Sequence, residues 1–324
     1  MTVATPTRPR AVVLGQIGRD LVLVLDELPP GGGAAPVRER HEWLGGKGAN
    51  QALACRQLGA DAALIGAVAD DDAGQAALEQ AQHDGLDVTG VVRRSNARTA
   101  LLIDVVAPPG TRRLLEDIGP DVTLTPADVA AVHGLIAGAD VMVLQLQQPA
   151  DALLAAIEVV EGTDVLLVAD GAPPDEQVRE ALLRAGAVLR ADQREAALLT
   201  GRELAGAPDT LVAAEDLVRR GARAVALSAG ADGDVVAWSG GHVVTPLLGE
   251  HPVDPTGAGD AATAALAVAL STGESPERAA WWAAAAAAHS VVQAGGRARL
   301  DAREVRRAAE EAESASVASL RRRS

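Results

Sequence analysis

The segment Val253-Asp254-Pro255-Thr256-Gly257-Ala258-Gly259-Asp260, followed by an alanine-rich apolar run over 261–270, brings together residue types that could handle a phosphate and an alcohol. Gly257, Ala258 and Gly259 are small enough for the backbone to turn tightly and gather several N–H groups at one point. The alanine run after them predicts a helix that begins there. A helix N-terminus presents unpaired donors and about half a positive charge, which suits a phosphate or an oxyanion developing beside it. Asp260 adds a carboxylate on the same turn. The turn's N–H groups and the helix dipole are expected to keep it ionised, ready to take a proton from a hydroxyl pressed against it. A phosphate cradle and a proton acceptor on one turn are the parts of phosphoryl transfer to an alcohol. The same residues, taken alone, also describe a tight turn and a capping Asp.

A second glycine-rich segment lies about two hundred residues upstream. Gly45-Gly46-Lys47-Gly48-Ala49-Asn50-Gln51-Ala52 opens a predicted helix that runs to Leu58 and stops at Gly59. Lys47 and Asn50, three apart, share a helical face and can reach one ligand. The segment is not a nucleotide P-loop, because Gly48 rather than Ser or Thr follows Lys47 and no glycine precedes it at the required spacing. Of the 29 basic residues 28 are Arg, and Lys47 is the single Lys. A compact ammonium rather than a planar fork is thus kept at one place. Asp20 stands between two apolar runs, where a carboxylate needs partners; it reads as a turn cap or as a grip on a diol. Asp192 and Glu195, three apart after a predicted strand, match a capping box. Gln147 and the segment Ser228-Ala229-Gly230-Ala231-Asp232-Gly233 follow other strands, at the edge where open α/β sheets place ligands.

A frame must position these groups, and 324 residues fit one large α/β domain with a small appendage. The chain is 48% hydrophobic but has no Phe or Tyr and only four Trp, so Ala, Val and Leu must fill the core. A net charge of −15 and a pI near 4.8 exclude nucleic acid and anionic membranes as general partners. An anionic substrate then needs a local positive site or a metal ion. The single cysteine, Cys55, excludes an internal disulfide, and the six His residues show no pair at zinc-ligand spacing. No signal-like apolar stretch follows the start and no apolar run reaches eighteen residues, so a soluble, cytoplasmic protein is expected.

Apolar runs predict strands at 11–15, 21–25 and 62–68, with a solvent-facing flap strand at 37–44 and a helix over 73–83. A hairpin is expected from 99–106 and 111–115 around Pro108-Pro109-Gly110, and Thr125-Pro126-Ala127-Asp128 starts a helix. Strands at 141–144, 165–169, 188–190 and 224–227 then alternate with helices at 150–160, 176–184, 193–199 and 209–220, which predicts a mostly parallel sheet with helices on both faces. A hairpin over 235–246 and helices at 260–270 and 276–292 complete the core. No linker divides the chain: it reads as one domain over 1–324, with a lid formed by about 20–45 and 97–118 and an exposed C-terminal helix or tail over 301–324.

In order and spacing, the pair 45–52 and 254–260 resembles the two signature segments of the ribokinase-like (PfkB-type) sugar kinases, its ribokinase branch above all, and the likeness runs from Val12 to about Gly296. The resemblance implies a ribokinase-like fold with a small β-sheet lid. It implies an ATP-dependent kinase acting on a primary sugar hydroxyl, foremost ribose to ribose 5-phosphate. A nucleoside, fructose or keto-deoxy sugar kinase is the alternative, and an inactive sugar-binding regulatory protein the alternative of another class. By the same likeness Asp260 is the general base, and Gly257, Ala258 and Gly259 form the anion hole. Asp20, Gly46, Lys47, Asn50 and Gln147 hold the sugar. Asp192 and Glu195, where the family has Asn-x-x-Glu, organise Mg2+ and phosphates, and Ser228, Gly230, Gly233 and Gly259 line the nucleotide. Asp254 and Thr256, with Ser290, Gln293 and Gly295, match ligands of an activating K+. A lid with open sheet edges implies a homodimer. Gly18 and Gln147 stand where ribokinases have Asn and Glu, and the lack of aromatics leaves adenine to aliphatic side chains. A dehydrogenase is disfavoured, since Gly15-Gln16-Ile17-Gly18 lacks the third glycine of a dinucleotide fingerprint.

Overall fold

The computed structural model describes residues 8–107, 111–249, 256–292, 296–297 and 299–323. The chain opens with β1 (Arg10–Leu14), β2 (Gly18–Val24), β3 (Glu39–Gly45), α1 (Lys47–Gln57), β4 (Asp61–Ala69), α2 (Asp72–His83) and β5 (Asp87–Arg94). The pair β6 (Ala100–Ala107) and β7 (Thr111–Asp117) follows, then α3 (Pro126–Ala131), α4 (His133–Ala137), β8 (Val141–Gln145) and α5 (Ala150–Val160). Regular alternation continues through β9 (Leu166–Asp170), α6 (Glu176–Arg184), β10 (Val188–Ala191), α7 (Gln193–Thr200), α8 (Gly206–Arg219) and β11 (Ala224–Ser228). The hairpin β12 (Asp234–Trp238) and β13 (Gly241–Thr245) precedes α9 (Ala258–Ser271), α10 (Pro276–Ser290) and α11 (Ala302–Arg323).

Nine strands form one sheet in the order β13-β12-β11-β10-β9-β8-β1-β4-β5. Every pair from β11 to β5 is parallel, and only the β11–β12 and β12–β13 pairs are antiparallel. Successive side chains of a strand point to opposite faces, so β1 sends Ala11 and Val13 to one apolar layer and Val12 and Leu14 to the other. The first layer holds α1, α9 and α10, whose alanines let helices pack closely, with Trp281 and Trp282 as its bulk. The second holds α5, α6 and α8. α9 is buried continuously from Asp260 to Ala269, as expected of a helix apolar on all sides.

A separate four-stranded sheet, β3-β2-β6-β7, is built from two of the predicted strands and the predicted hairpin. The 108–110 turn lies outside the described residues. Two features differ from the sequence reading. β5 was not anticipated: as an edge strand of the sheet it carries Asp87, Arg93 and Arg94 and half-buried valines in place of a buried apolar run. The helix begun by the Thr125 capping box breaks at Val132 into α3 and α4. Among the described residues no helix is long and apolar enough to cross a membrane.

Candidate active site

Gly257 caps α9 in the left-handed region, with φ 80°, and a Cβ there would stand 2.3 Å from the Gly296 carbonyl oxygen. Only glycine fits, so the turn and the Gly296 segment fix one another. Asp260, in the first helical turn, is 8% exposed and faces inward. Its partner is the buried Gln51 of α1: the amide Nε2 donates to Asp260 Oδ1 at 2.9 Å and to Asp170 Oδ2, at the end of β9, at 2.8 Å. Asp170 Oδ1 in turn takes Arg190 Nη1 at 3.0 Å and lies 3.0 Å from the Thr263 hydroxyl, which is also 2.8 Å from the Gly259 carbonyl. Asp170 and Arg190 are register partners in adjacent parallel strands.

Burial, and then the negative charge of Asp170, push the Asp260 carboxyl up to about 7 against the pull of Lys47, Gln51 and Arg190. This differs from the expectation that turn amides and the helix dipole keep it fully ionised. The carboxylate takes the Gln51 amide instead, desolvation outweighs the groups that oppose it, and the result is a carboxylate with real proton affinity near neutral pH.

Lys47 starts α1 and reaches Glu195 Oε1 at 2.8 Å. Burial opposes the Lys47 charge, but Asp170 and Glu195 outweigh it and raise the ammonium's pKa; Glu195, against its own burial, is held below the usual carboxylate range, first by Lys47. Glu195 Oε2 accepts the Asp192 N–H at 3.0 Å and Asp192 Oδ1 the Glu195 N–H at 2.8 Å, a reciprocal capping box on α7. Beside it opens a cleft of about 680 Å³ lined by Asp192, Gln193, Arg194, Ala197, Leu198, Glu203 and Ser228, a size that accommodates a nucleotide. On the small sheet, Asp20 is 5% exposed and its Oδ1 has no partner among the described residues. Burial and the neighbouring Asp104 push its carboxyl up to about 7, while the Gly46 N–H and Arg112 pull it down.

Buried carboxylates near neutrality, a glycine-capped helix start and a nucleotide-sized cleft at the C-terminal edge of a parallel sheet are the parts of a phosphotransferase. Residues 8–303 match the pfkB family carbohydrate kinase pattern. The chain belongs to the pfkB family of carbohydrate kinases. With that membership it is an ATP-dependent sugar kinase. It is similar to the bifunctional ribokinase/ribose-5-phosphate isomerase A of Fructilactobacillus sanfranciscensis, 29% identical over 262 residues, 81% of this chain and 48% of that protein; the chain spans about half the length of that relative. To the ATP-dependent ribose-1-phosphate kinase of Halopiger xanaduensis it is 31% identical over 290 residues, 89% of this chain and 94% of that one. The fold matches that of Arabidopsis thaliana ribokinase complexed with ribose and ATP at a TM-score of 0.79 and 23% identity, over 94% of this chain and 99% of that one.

In this pfkB-family chain the predicted residues converge unevenly. Asp260 and Lys47 meet at one cluster, and Lys47 brings Glu195 and Asp192 to it. Asn50, though on the helix face of Lys47, turns toward the C-terminal segment: a Cβ on Gly296 would lie 2.9 Å from Asn50 Nδ2. Gly46 donates its N–H to Asp20. Gln147 sits just past β8 with an exposed side chain. Ser228 hydrogen-bonds Asp234 on the adjacent strand, and Gly230 and Gly233 bracket the short turn between β11 and β12, both with positive φ. Of the expected K+ ligands, Asp254, Gln293 and Gly295 lie outside the described residues. Ser290 donates its hydroxyl to the Ala287 carbonyl at 2.8 Å.

Sequence reading missed four polar groups: Gln51, Asp170, Arg190 and Gln145. Gln145 is fully buried at the end of β8, its Oε1 3.4 Å from the Gln16 N–H and its Nε2 without a partner among the described residues. A signal existed for two of them, since Asp170 and Arg190 are charges closing apolar strands. Their pairing depends on register, which no local pattern carries.

Proposed function

We propose that this kinase is a ribokinase, moving the γ-phosphate of ATP to the primary hydroxyl of ribose to give ribose 5-phosphate. The observation that carries the reading is the inward, near-neutral carboxylate of Asp260 on the first turn of α9. There it takes the hydroxyl proton while the N–H groups of Gly257, Ala258 and Gly259 face the phosphoryl group. Asp20, Gly46, Lys47, Asn50 and Gln147 hold the sugar, and Asp192, Glu195, Ser228, Gly230 and Gly233 the nucleotide. Asp192 and Glu195 offer hard oxygens, and both Glu195 oxygens already bind N–H donors, so Mg2+ carried on the phosphates would be held there through water. Bound Mg2+ would neutralise phosphate charge in an acidic site. K+ would sit against Asp254, Thr256, Ser290, Gln293 and Gly295.

The small sheet acts as a lid that excludes water from the sugar. Its edge strand β7 exposes Leu114 and Leu115 at 40% and 57%, which supports a homodimer through the lid. The protein works in the cytoplasm. A coupled ADP assay over a panel of sugars tests the reading: ribose should lead and Asp260→Asn should abolish turnover, whereas turnover surviving that substitution rejects it. Ribose 1-phosphate joins the panel as a second reading, because the relative at 31% identity is a kinase for that sugar phosphate.

A further inference from the structure

Arg190 Nη1 bonds Asp170 at 3.0 Å, the one hydrogen bond this side chain forms among the described residues. The rest of the guanidinium lies against the start of α9. A Cβ placed on Gly259 would stand 2.5 Å from Nη1 and 2.9 Å from Nη2, so glycine is what lets this cation approach the leading turn. The Arg190 side chain keeps 15% of its surface exposed, and its remaining donors are not sealed into packing. Burial opposes its charge, but Asp170, Glu195 and Asp234 raise its pKa further above the ordinary arginine value. Lys47, the neighbouring cation, is already committed to Glu195. Among the described residues, Arg190 brings a guanidinium with donors to spare to the first turn of α9 itself, while Arg194 lines the neighbouring cleft. An ion pair that served the fold alone would do best with every donor satisfied.

We propose that Arg190 is a catalytic cation of this kinase: aimed by Asp170, its guanidinium grips an oxygen of the phosphoryl group in transfer at the first turn of α9. The proposal rests on the kinase reading above. In that step the sugar oxygen bonds to the γ-phosphorus as the bond from that phosphorus to the β,γ-bridging oxygen breaks. The hydroxyl proton passes to Asp260, and ADP leaves with the electron pair. Charge on the transferring oxygens is what a planar, permanently ionised fork stabilises. Gln51 bridges Asp170 to Asp260, so cation and base are held in one frame.

Arg190→Gln is assayed with Mg2+-ATP and the sugar that the unaltered protein accepts, beside calorimetric titrations of ADP alone and of ADP with aluminium fluoride, a mimic of the phosphoryl group in flight. The expected result is kcat lowered about 100-fold or more with the sugar KM little changed, and affinity for ADP–aluminium fluoride lowered by a like factor while ADP alone binds as before. A kcat close to that of the unaltered protein, or equal weakening of ADP and ADP–aluminium fluoride, overturns the proposal. Should Arg190→Gln fail to fold because Asp170 is stranded, Arg190→Gln with Asp170→Asn restores neutrality and carries the aluminium fluoride comparison. An unaltered protein that phosphorylates no sugar would sink the kinase reading itself. With turnover present, the variant tests Arg190 alone.

Discussion

Lys47 Nζ stands 2.8 Å from Glu195 Oε1, so the chain's single ammonium ties the start of α1 to the N-terminal turn of α7, 148 residues away. Lys47→Met strands a largely buried carboxylate. It should cost about 1–2 kcal/mol in chemical denaturation, less than a fully buried pair because Lys47 is 33% exposed. Lys47→Met with Glu195→Gln should recover most of that stability but not the activity. A single variant as stable as the unaltered protein would show that the pair contributes nothing to the fold.

The Asp260 carboxyl near 7 sets the acid limb of kcat/KM, since only the ionised form accepts a proton: activity should rise with pH and reach half its plateau near pH 7. Asp170 is the like charge that raises it, so Asp170→Asn should move this limb to lower pH, by roughly one unit. A limb that stays in place or moves upward contradicts the coupling.

The same raised pKa has a cost in stability. An unfolded Asp ionises near 3.8 while native Asp260 holds its proton to about 7, so the native state loses stability as pH rises between these values. Asp260→Asn removes the cost. Its melting temperature should exceed that of the unaltered protein by roughly 3 °C or more at pH 8, with the gain shrinking toward zero as pH falls to 4. Calorimetric scans at the two pH values decide it.

Asp20 Oδ1 is a buried acceptor without a partner among the described residues, on a carboxyl also pushed up to about 7. A sugar hydroxyl that donates to the ionised form should bind about tenfold more weakly at pH 6 than at pH 8, following the ionised fraction. Asp20→Asn should raise the sugar KM and flatten this dependence. Titration calorimetry with ribose in the absence of nucleotide reads the effect directly, and pH-independent binding would remove Asp20 from the sugar site.

Much of this was legible from local chemistry. The parallel sheet could be read from residue 141 onward because apolar strand runs and amphipathic helices differ in period, and the Thr125 and Asp192 capping boxes appear where the pattern put them. β5 escaped because an edge strand with Asp87, Arg93 and Arg94 in it lacks the apolar run of a central one. The residue-type pattern put Lys47 and Asn50 on one helix face, and only the packing shows Lys47 bonded to Glu195 and Asn50 Nδ2 close to Gly296.

By itself the sequence determined that a helix follows the glycine turn at 257–259 with a carboxylate at its start, and that a second glycine segment presents the lone lysine, because turn geometry and helix initiation are decided by neighbours along the chain. Only the tertiary structure decided the company of that carboxylate. Gln51, 209 residues from Asp260, and the register partners Asp170 and Arg190 meet it because α1 packs against α9 and α9 against β9. Distances between layers of a fold are set by packing, and they turn an ordinary capping aspartate into a base poised near neutral pH.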